Sequence, residues 1–405
     1  MKKNLLGSIC FLALLLTTLA NTSFAASNDE LERRLDLVTE ELQKLKNEMA
    51  VEETEYASSY GFGPAASKIY SLNKGLSIGG YGEGRFKNYM HDKGSKTDQA
   101  EMLRAIIYVG YKFSDSIILN TEIEFEHANE AYVEMVSLDF LLNDSFNLRA
   151  GLLLAPMGLT NELHEPTLFH GNDRPLVERQ VIPTTWREMG AGVFGKLTEK
   201  IDYKLYVMNG FDGADFTSKG LRGGRQKGSK AKADDWALVG RLDYEPILGL
   251  NLGGSFYLGD SGQRRVLDAA TNEVDVFTQI YEVHTQYKYK GLELKGLLTQ
   301  VKIDDTESIL AQTGNDVPDE IIGYYGEIAY DVLPLILTGT NQYLAPFFRY
   351  EDLNYTGNDE EVTLMVFGLT YKPIPNVVLK ADYSNYEMET GTIADELNIG
   401  LGYIF

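Results

Sequence analysis

Residues 102–125 read MLRAIIYVGYKFSDSIILNTEIEF, and this stretch contains the pattern that decides the fold. In its first half every second residue is apolar or aromatic, whereas Arg104 and Lys112 lie on the other face. After a polar turn at residues 114–116, the alternation continues through residues 119–125. A period of two is that of a β-strand whose faces meet different surroundings. The stretch therefore predicts two antiparallel strands joined by a tight turn.

The same alternation recurs to the end of the chain, in about sixteen segments between residues 76 and 405. Segments of this length can cross a bilayer as tilted strands, and an even strand number is usual in bacterial outer-membrane barrels. After residue 25, no apolar run is long enough for a membrane helix. The sequence predicts an all-β fold, a transmembrane antiparallel barrel of about 16 strands over residues 76–405.

Loop lengths and aromatic residues support a membrane barrel over a soluble sandwich. Short connections alternate with long ones: 114–116, 143–145, 198–200, 246–249 and 373–376 are short, and 155–187, 211–235, 260–275 and 304–320 are long. Strands that enter short turns tend to end on an aromatic residue: Tyr111, Phe113, Phe140, Tyr244, Tyr289, Tyr330 and Tyr371. Short periplasmic turns, longer external loops and an aromatic girdle are typical of outer-membrane barrels. The final residues, Tyr403 and Phe405, fit the terminal signal for barrel assembly.

Three segments precede the predicted barrel. Residues 1–25 have the basic start, apolar run and small-residue end of a secretory signal peptide, and Cys10, the only cysteine, lies within it. Residues 26–50 carry apolar side chains at heptad spacing, which predicts a short periplasmic coiled-coil helix. The alternative is a single amphipathic helix that lies on its own barrel. Residues 51–75 are expected to be a linker.

The longest irregular segment, residues 155–187, is predicted to form the pore constriction. It has prolines, mixed charge and no regular periodicity, and its apolar residues need a place to be buried. We expect it to fold into the lumen; the alternative is a lid over the mouth. The residues predicted to line the constriction are Asp173, Arg174, Glu178, Arg179, Arg187 and Glu188.

The polar faces of the strands predict a charged lumen wall. Its residues include Arg104, Glu122, Glu124, Glu126, Arg149, Arg241, Glu327 and Arg349. Acidic residues are in excess on these faces, which predicts a weak cation preference or a transverse field. The alternative is that most of these groups pair with one another and only stiffen the wall.

Other candidate sites outside the lumen wall are weaker. The basic stretch at residues 219–232 is expected to be flexible and to capture anionic solutes or lipopolysaccharide phosphates, the alternative being a solvated external loop. The residues concerned are Lys219, Arg222, Arg225 and Lys227. His164, Glu165 and His170 do not follow a known metal motif, so neither a metal nor a cofactor is expected.

The remaining classes of function are a nucleic-acid-binding protein, an enzyme and a tether. The net charge of −22 argues against nucleic-acid binding. An outer-membrane hydrolase would need a nucleophile beside a base, and only His284 is suggestively placed, without a serine motif, so an enzyme is not expected. A further alternative is a tether whose barrel is a non-conducting anchor.

Three stretches carry a resemblance to a known family: RAGLLLAPMG at residues 149–158, GNDRPLVERQVIPTTWREMGAGVFG at 171–195 and FFRYE at 347–351. They resemble the phosphate-selective porin O and P family. The resemblance implies a homotrimer of sixteen-stranded barrels with a loop folded into each lumen. Together with the signal peptide, it places the protein in the outer membrane of a Gram-negative-type bacterium, in contact with lipids and lipopolysaccharide. The expected function is a water-filled channel for small hydrophilic solutes or ions, with an anion- or phosphate-selective porin as the alternative.

Overall fold

The computed structural model describes residues 33–34, 58–90, 96–337, 339–356, 360–389, 391 and 393–405. The signal peptide lies outside the described residues, and of the heptad segment only Arg33 and Arg34, both helical, lie within them. The coiled coil and the signal peptide therefore stay predictions.

Sixteen strands form one closed antiparallel barrel, in which each strand pairs with its neighbours in the chain and β1 closes onto β16. The strands are β1 (Gly75–Tyr89), β2 (Gln99–Ser114), β3 (Ile117–Glu126), β4 (Glu130–Leu141), β5 (Asn147–Leu154), β6 (Arg187–Thr198), β7 (Ile201–Asn209), β8 (Trp236–Ile247), β9 (Leu250–Asp260), β10 (Phe277–Tyr289), β11 (Leu292–Ile303), β12 (Glu320–Tyr330), β13 (Tyr343–Thr356), β14 (Glu360–Ile374), β15 (Val377–Met388) and β16 (Glu396–Ile404). The predicted fold class is confirmed.

Within residues 58–405 as far as they are described, three α-helices lie between the strands or before them: α1 (Pro64–Ser71), α2 (Leu176–Gln180) and α3 (Thr306–Thr313). Short 3-10 turns occur at Gly213–Asp215, Leu221–Gly224 and Leu333–Leu335. Among the helices described, none has the length and apolar character needed to span a membrane.

The two faces of the strands differ as the sequence pattern predicts. On β2, Ile107, Tyr111 and Phe113 are exposed on the outside of the barrel, whereas Arg104 and Tyr108 are buried inside. Large exposed apolar side chains recur around the outer surface, on strands from β1 to β16. A closed sheet with an apolar exterior satisfies all its backbone hydrogen bonds internally, as a membrane-spanning strand requires.

The alternation of short and long connections is not strict. Residues 331–342, at the end of the barrel that carries the short turns, form a longer connection that includes a 3-10 turn. At the other end, residues 127–129 join β3 to β4 in a short turn, where His127 and Ala128 both have positive φ angles, of 52° and 61°. Sequence composition does not reveal such a turn because it lacks glycine, and Ala128 is not a usual choice for this conformation.

The linker prediction for residues 51–75 is wrong at residues 64–71, which form α1 inside the barrel. Pro64 is at the first position of the helix, where a missing N–H costs nothing. The side-chain amide of Asn120 donates to the carbonyl oxygen of Ala66 at 3.0 Å. A Cβ atom at Gly110 would lie 2.8 Å from Ile69, so the glycine makes room for the helix. Two turns of helix are too short to show a clear period in sequence.

A charge on the outer face should destabilise the barrel according to its depth. Leu298 is exposed at the middle of β11, and Leu292 lies on the same face at the end of that strand. We expect Leu298→Arg to lower the free energy of unfolding in lipid vesicles by about 2–4 kcal/mol, and Leu292→Arg by about 0–1 kcal/mol, because only the first places a charge in the bilayer centre. Denaturant titration measures both, and equal losses would contradict a lipid-facing surface.

Candidate functional site

The segment that joins β5 to β6, residues 155–186, lies inside the barrel. We call it the lumen loop. Most of its side chains are buried, and they include Leu159, Val177, Ile182 and Trp186. A Cβ atom at Gly400 of β16 would collide with Asn172, which shows how closely the loop approaches the wall. The structure thus agrees with inward folding and not with a lid over the mouth.

One side of the lumen loop is apolar and packs against inward-facing residues of the barrel wall from β8 to β14, which we call the distant wall. Val177 on α2 packs against β12 at Gly323, where an added Cβ would be 2.9 Å away. Trp186 stacks on Phe211, with ring centroids 4.6 Å apart and an interplanar angle of 18°. These residues belong to one buried cluster that also includes inward side chains from β8 to β14. Burial of each large apolar side chain contributes about 1.5–3 kcal/mol, so this side fixes the loop in place.

Glu178 of α2 ties the lumen loop to itself and to the wall. One carboxylate oxygen accepts hydrogen bonds from the backbone N–H groups of Leu159 and Thr160 at 2.8 and 2.6 Å and from the Thr160 hydroxyl at 2.9 Å. The other accepts from the Tyr325 hydroxyl at 2.7 Å. Burial raises the pKa of Glu178, and these donors oppose the increase. Glu178 was predicted to line the constriction, but it faces away from open space.

The charged side of the lumen loop faces β1–β3 across a cavity of about 190 Å³, which we call the arginine cavity. Its charged lining residues are Glu83, Arg85, Arg104, Glu126, Asp173, Arg174, Arg179 and Arg222, with His127 beside them. Five arginines against three carboxylates give a formal charge of +2 when His127 is neutral. Asp173, Arg174 and Arg179 are the predicted constriction residues that the structure brings together here.

Within the arginine cavity, Asp173 forms ion pairs, whereas Nη1 of Arg174 has no partner among the described residues. Asp173 lies 2.6 Å from Arg85, 2.5 Å from Lys87 and 3.7 Å from Arg179. Burial alone would raise the pKa of Asp173, but the charges of Arg179, Lys87 and Arg85 hold it well below its usual range.

Arg174 is 8% exposed, and its Nη1 atom has no hydrogen-bond partner among the described residues. Burial and the positive charge of Arg104 lower the pKa of Arg174. Across the cavity, burial followed by the charges of Arg174 and Arg179 lowers the pKa of Arg222 to about 10. Burial is the first cause of both decreases, and the neighbouring arginines add to it.

The last two predicted constriction residues lie apart from the arginine cavity. Arg187 is 3.5 Å from Glu134 and lies over the ring of Tyr132. Glu188 accepts hydrogen bonds from Asn209 at 3.0 Å and from the backbone of Gln226 at 2.7 Å. Both residues already belong to β6, and neither Arg187 nor Glu188 lines the arginine cavity, nor does Glu178.

The predicted wall residues face the interior, and most of them are paired. Arg149 donates to both oxygens of Asp139 at 2.7 Å. Arg349 lies between Glu327, at 3.1 Å, and Glu351, at 2.8 Å. The remaining arginines pair in the same way, Arg104 with Glu83 at 2.8 Å and Arg241 with Asp243 at 2.6 Å, while Glu126 accepts from Tyr132 at 2.5 Å. The alternative of a mutually paired, stiffened wall therefore describes the structure better than an open acidic lumen.

The sequence alone did not show which charged wall residues pair with each other. The register of the strands explains these pairs. Arg104 lies opposite Glu83, Asp139 opposite Arg149, and Arg349 opposite Glu327 in the antiparallel ladders. Opposite charges at facing positions stabilise a strand pair. These charge pairs can be recognised in the sequence only when the register of the strands is known.

The basic stretch is ordered, not flexible. Arg222 donates to the carbonyl oxygen of Arg179 at 2.8 Å, and Arg225 donates to those of Pro183 and Thr185, both at 2.9 Å. Burial and the charge of Arg222 lower the pKa of Arg225 to about 9. Two of the four predicted capture residues thus hold the lumen loop, whereas Lys219 and Lys227 are exposed and stay candidates for solute or lipopolysaccharide contact.

The hydrolase alternative has no geometric support at His284. Its Nδ1 atom lies 2.7 Å from Glu282, and its Nε2 atom lies 3.0 Å from Asp243 and 3.2 Å from Arg241. The nearby Ser255 hydroxyl donates to Glu282 at 2.5 Å and not to the histidine. In the described part of the chain, these contacts do not form a nucleophile–base pair.

Comparison with known proteins places the chain in a family. A protein of Aquifex aeolicus (strain VF5), itself uncharacterised, is 35% identical over 370 residues, which cover 84% of this chain and 82% of that protein. The chain belongs to the same family as that protein. No family model matches the sequence.

Solved outer-membrane proteins share the fold at low sequence identity. OmpT of Vibrio cholerae aligns with 83% of this chain and 99% of its own, with a TM-score of 0.54 and 13% identity. OmpF of Salmonella typhi aligns with 82% and 98%, with a TM-score of 0.55 and 11% identity. The channel DcaP of Acinetobacter baumannii aligns with 82% and 97%, with a TM-score of 0.54 and 11% identity. The barrel fold is thus that of outer-membrane porins.

Removal of the Glu178 carboxylate should loosen the lumen loop. Glu178→Ala leaves two buried backbone donors without an acceptor, so we expect a loss of about 2–4 kcal/mol in the free energy of unfolding and faster protease cleavage within residues 155–186. Glu178→Gln keeps one acceptor oxygen and should lose less, about 1–2 kcal/mol. Cleavage of Glu178→Ala at the wild-type rate would show that the carboxylate does not fix the loop.

Proposed function

We propose that this chain is an outer-membrane porin, a passive channel for small hydrophilic solutes or ions that is narrowed by the lumen loop. The observation that carries the proposal is the arginine cavity, a charged space between the loop and β1–β3 in a barrel with an apolar exterior. Charged groups that line a water-accessible space in a barrel are the usual device for selecting small solutes. The fold shared with DcaP, described as an outer membrane channel, supports this function.

Location and assembly follow from the same proposal. The apolar outer face fits lipid acyl chains, and the exposed Lys219 and Lys227 are suited to lipopolysaccharide phosphates. The signal peptide would export the chain to the outer membrane of a Gram-negative-type bacterium. Vibrio cholerae OmpT, which shares the fold, is described in a trimer form, and this supports a homotrimer.

The interior contacts restrict the proposed channel to small permeants. The backbone N–H of Ala65 on α1 donates to Glu165 of the lumen loop at 3.1 Å. On the other side of the loop, Lys204 of β7 pairs with Glu162 at 2.5 Å. α1 and the lumen loop thus contact each other inside the barrel, and larger solutes require one of them to move. Size exclusion therefore depends on both inserts and not on the loop alone.

An anion-selective porin is the second candidate, and Arg174 is the observation that favours it. Many acidic residues of the wall, on which the predicted weak cation preference rested, are held in ion pairs such as that of Asp139 with Arg149. The arginine cavity instead has a formal charge of +2 and contains the unpaired Nη1 atom of Arg174. Fixed charge in a low-dielectric channel attracts counter-ions, so the cavity favours anions. If the chain is a member of the phosphate-selective porin O and P family, the selected anion is phosphate.

Reversal potentials in a salt gradient across a planar bilayer test both candidates. We expect stepwise currents with an anion preference for the wild type, and a reversal potential closer to zero for Arg174→Gln, because the unpaired cavity charge is lost. Arg264→Gln is the matched control, since Arg264 lies on an external loop with its side chain 67% exposed, and it should leave the potential unchanged.

Each outcome has a separate meaning. A complete absence of current steps would refute the porin and favour a non-conducting anchor. A cation preference, or an unchanged potential in Arg174→Gln, would refute the anion-selective candidate alone. Block by micromolar phosphate would extend that candidate to phosphate selectivity.

A further inference from the structure

Three buried residues from separate segments meet beside the arginine cavity. Glu122 on β3 and Glu134 on β4 point inward, and His164 comes from the lumen loop. Each is at most 1% exposed, and one potential ligand atom from each lies within 4.8 Å of the others. The known partner of Glu134, Arg187, is 3.5 Å away. The group is therefore compact, although the sequence gives no metal motif.

The hydrogen bonding of His164 orients one ring nitrogen toward the carboxylates. Its Nδ1 atom lies 2.9 Å from the carbonyl oxygen of Asn161. A carbonyl oxygen only accepts, so Nδ1 carries the proton in the neutral ring and Nε2 keeps its lone pair. Nε2 is 3.3 Å from the Glu122 carboxylate. A lone pair and a carboxylate at this distance repel each other unless a positive charge lies between them. In metal-binding histidines, the other ring nitrogen usually donates a hydrogen bond to a group such as a backbone carbonyl, which orients the ring.

The surrounding polar atoms are also incompletely satisfied. Oε2 of Glu134 is fully buried and accepts no hydrogen bond from a described donor group, and its carboxyl lies within hydrogen-bond reach of the Glu124 carboxyl. The Tyr81 hydroxyl is likewise buried without a partner, and its ring packs against His164 with centroids 6.0 Å apart. Buried polar groups in folded proteins are nearly always bonded, so unpaired oxygens beside a lone pair indicate an additional ligand.

We propose that Glu122, Glu134 and His164 bind one divalent transition-metal ion, of which Zn²⁺ is the test case. One imidazole nitrogen and two carboxylate oxygens form a ligand set that such ions accept, with a further position for water. Mg²⁺ and Ca²⁺ prefer oxygen ligands alone, so the histidine selects against them. The ion would join β3 and β4 to the lumen loop and fix the loop in the barrel. This goes beyond the proposed channel function and does not require it.

A proton is the competing occupant of the site. Burial lowers the pKa of His164, but the charges of Glu122 and Glu134 and the hydrogen bond to Glu122 together raise it, and the net increase favours an imidazolium–carboxylate pair. A proton and a metal ion compete for the same Nε2 lone pair. Metal binding to the folded protein therefore separates the two occupants directly.

The test is calorimetric titration of Zn²⁺ into the full-length protein, folded in detergent and freed of metal with a chelator. We expect one equivalent to bind, and we expect at least a tenfold weaker affinity for His164→Gln and for Glu134→Gln. His170→Gln is the matched control. His170 is a second buried histidine of the lumen loop, bonded to Thr370 at 2.9 Å and outside the three-residue group, so its loss should leave the affinity unchanged.

A second measurement guards against misfolded variants. Zn²⁺ should raise the thermal unfolding midpoint of the wild type and of His170→Gln, but not of His164→Gln, with all three showing the same far-ultraviolet strand spectrum beforehand. The proposal is overturned if the wild type shows no saturable binding or if His164→Gln binds Zn²⁺ as the wild type does. Neither readout measures current, so failure of this proposal is distinct from failure of the porin.

Discussion

Closure of a two-faced sheet is the constraint on which the rest of the structure depends. Alternation puts apolar side chains outside and charged ones inside, and the inward charges need partners because most of the interior is occupied. Cross-strand pairs such as Arg104 with Glu83 meet that need on the wall. Many of the interior charges therefore belong to ion pairs, and a buried atom without a partner among the described residues, such as Nη1 of Arg174, stands out against them.

The lumen loop serves two purposes because its two sides differ in chemistry. Its apolar side, with Val177 and Trp186, completes a core with the distant wall. Its charged side, with Asp173, Arg174 and Arg179, closes the arginine cavity against β1–β3. The burial that holds the first side in place also fixes the position of the second, so packing and selectivity are coupled. The α1 helix also holds the lumen loop, through the hydrogen bond from the backbone N–H of Ala65 to Glu165.

Much of the fold followed from the sequence, whereas the site did so only in part. Alternation such as that in residues 102–125 depends on local periodicity, and it gave the strand number and the fold class. Pairing across strands depends on register, which is not local, so a partner such as Asp139 was missed. Neighbouring residues on a helix turn differ by about 100°, and for this reason α2 sends Arg179 to the cavity and Glu178 to the wall. Arg222 joins the site from another loop, which no spacing rule indicates.

The position of the lumen loop inside the barrel is the central claim, and a disulfide across that contact tests it most directly. In a chain with Cys10 replaced by serine, Val177→Cys and Gly323→Cys place two thiols where an added Cβ at residue 323 would be 2.9 Å from the Val177 side chain. Mild oxidation of the folded protein should link the two cysteines completely, as seen by mass spectrometry of the digested chain. If both thiols stay free and react with a charged thiol reagent, the loop does not lie against β12 and the account is contradicted.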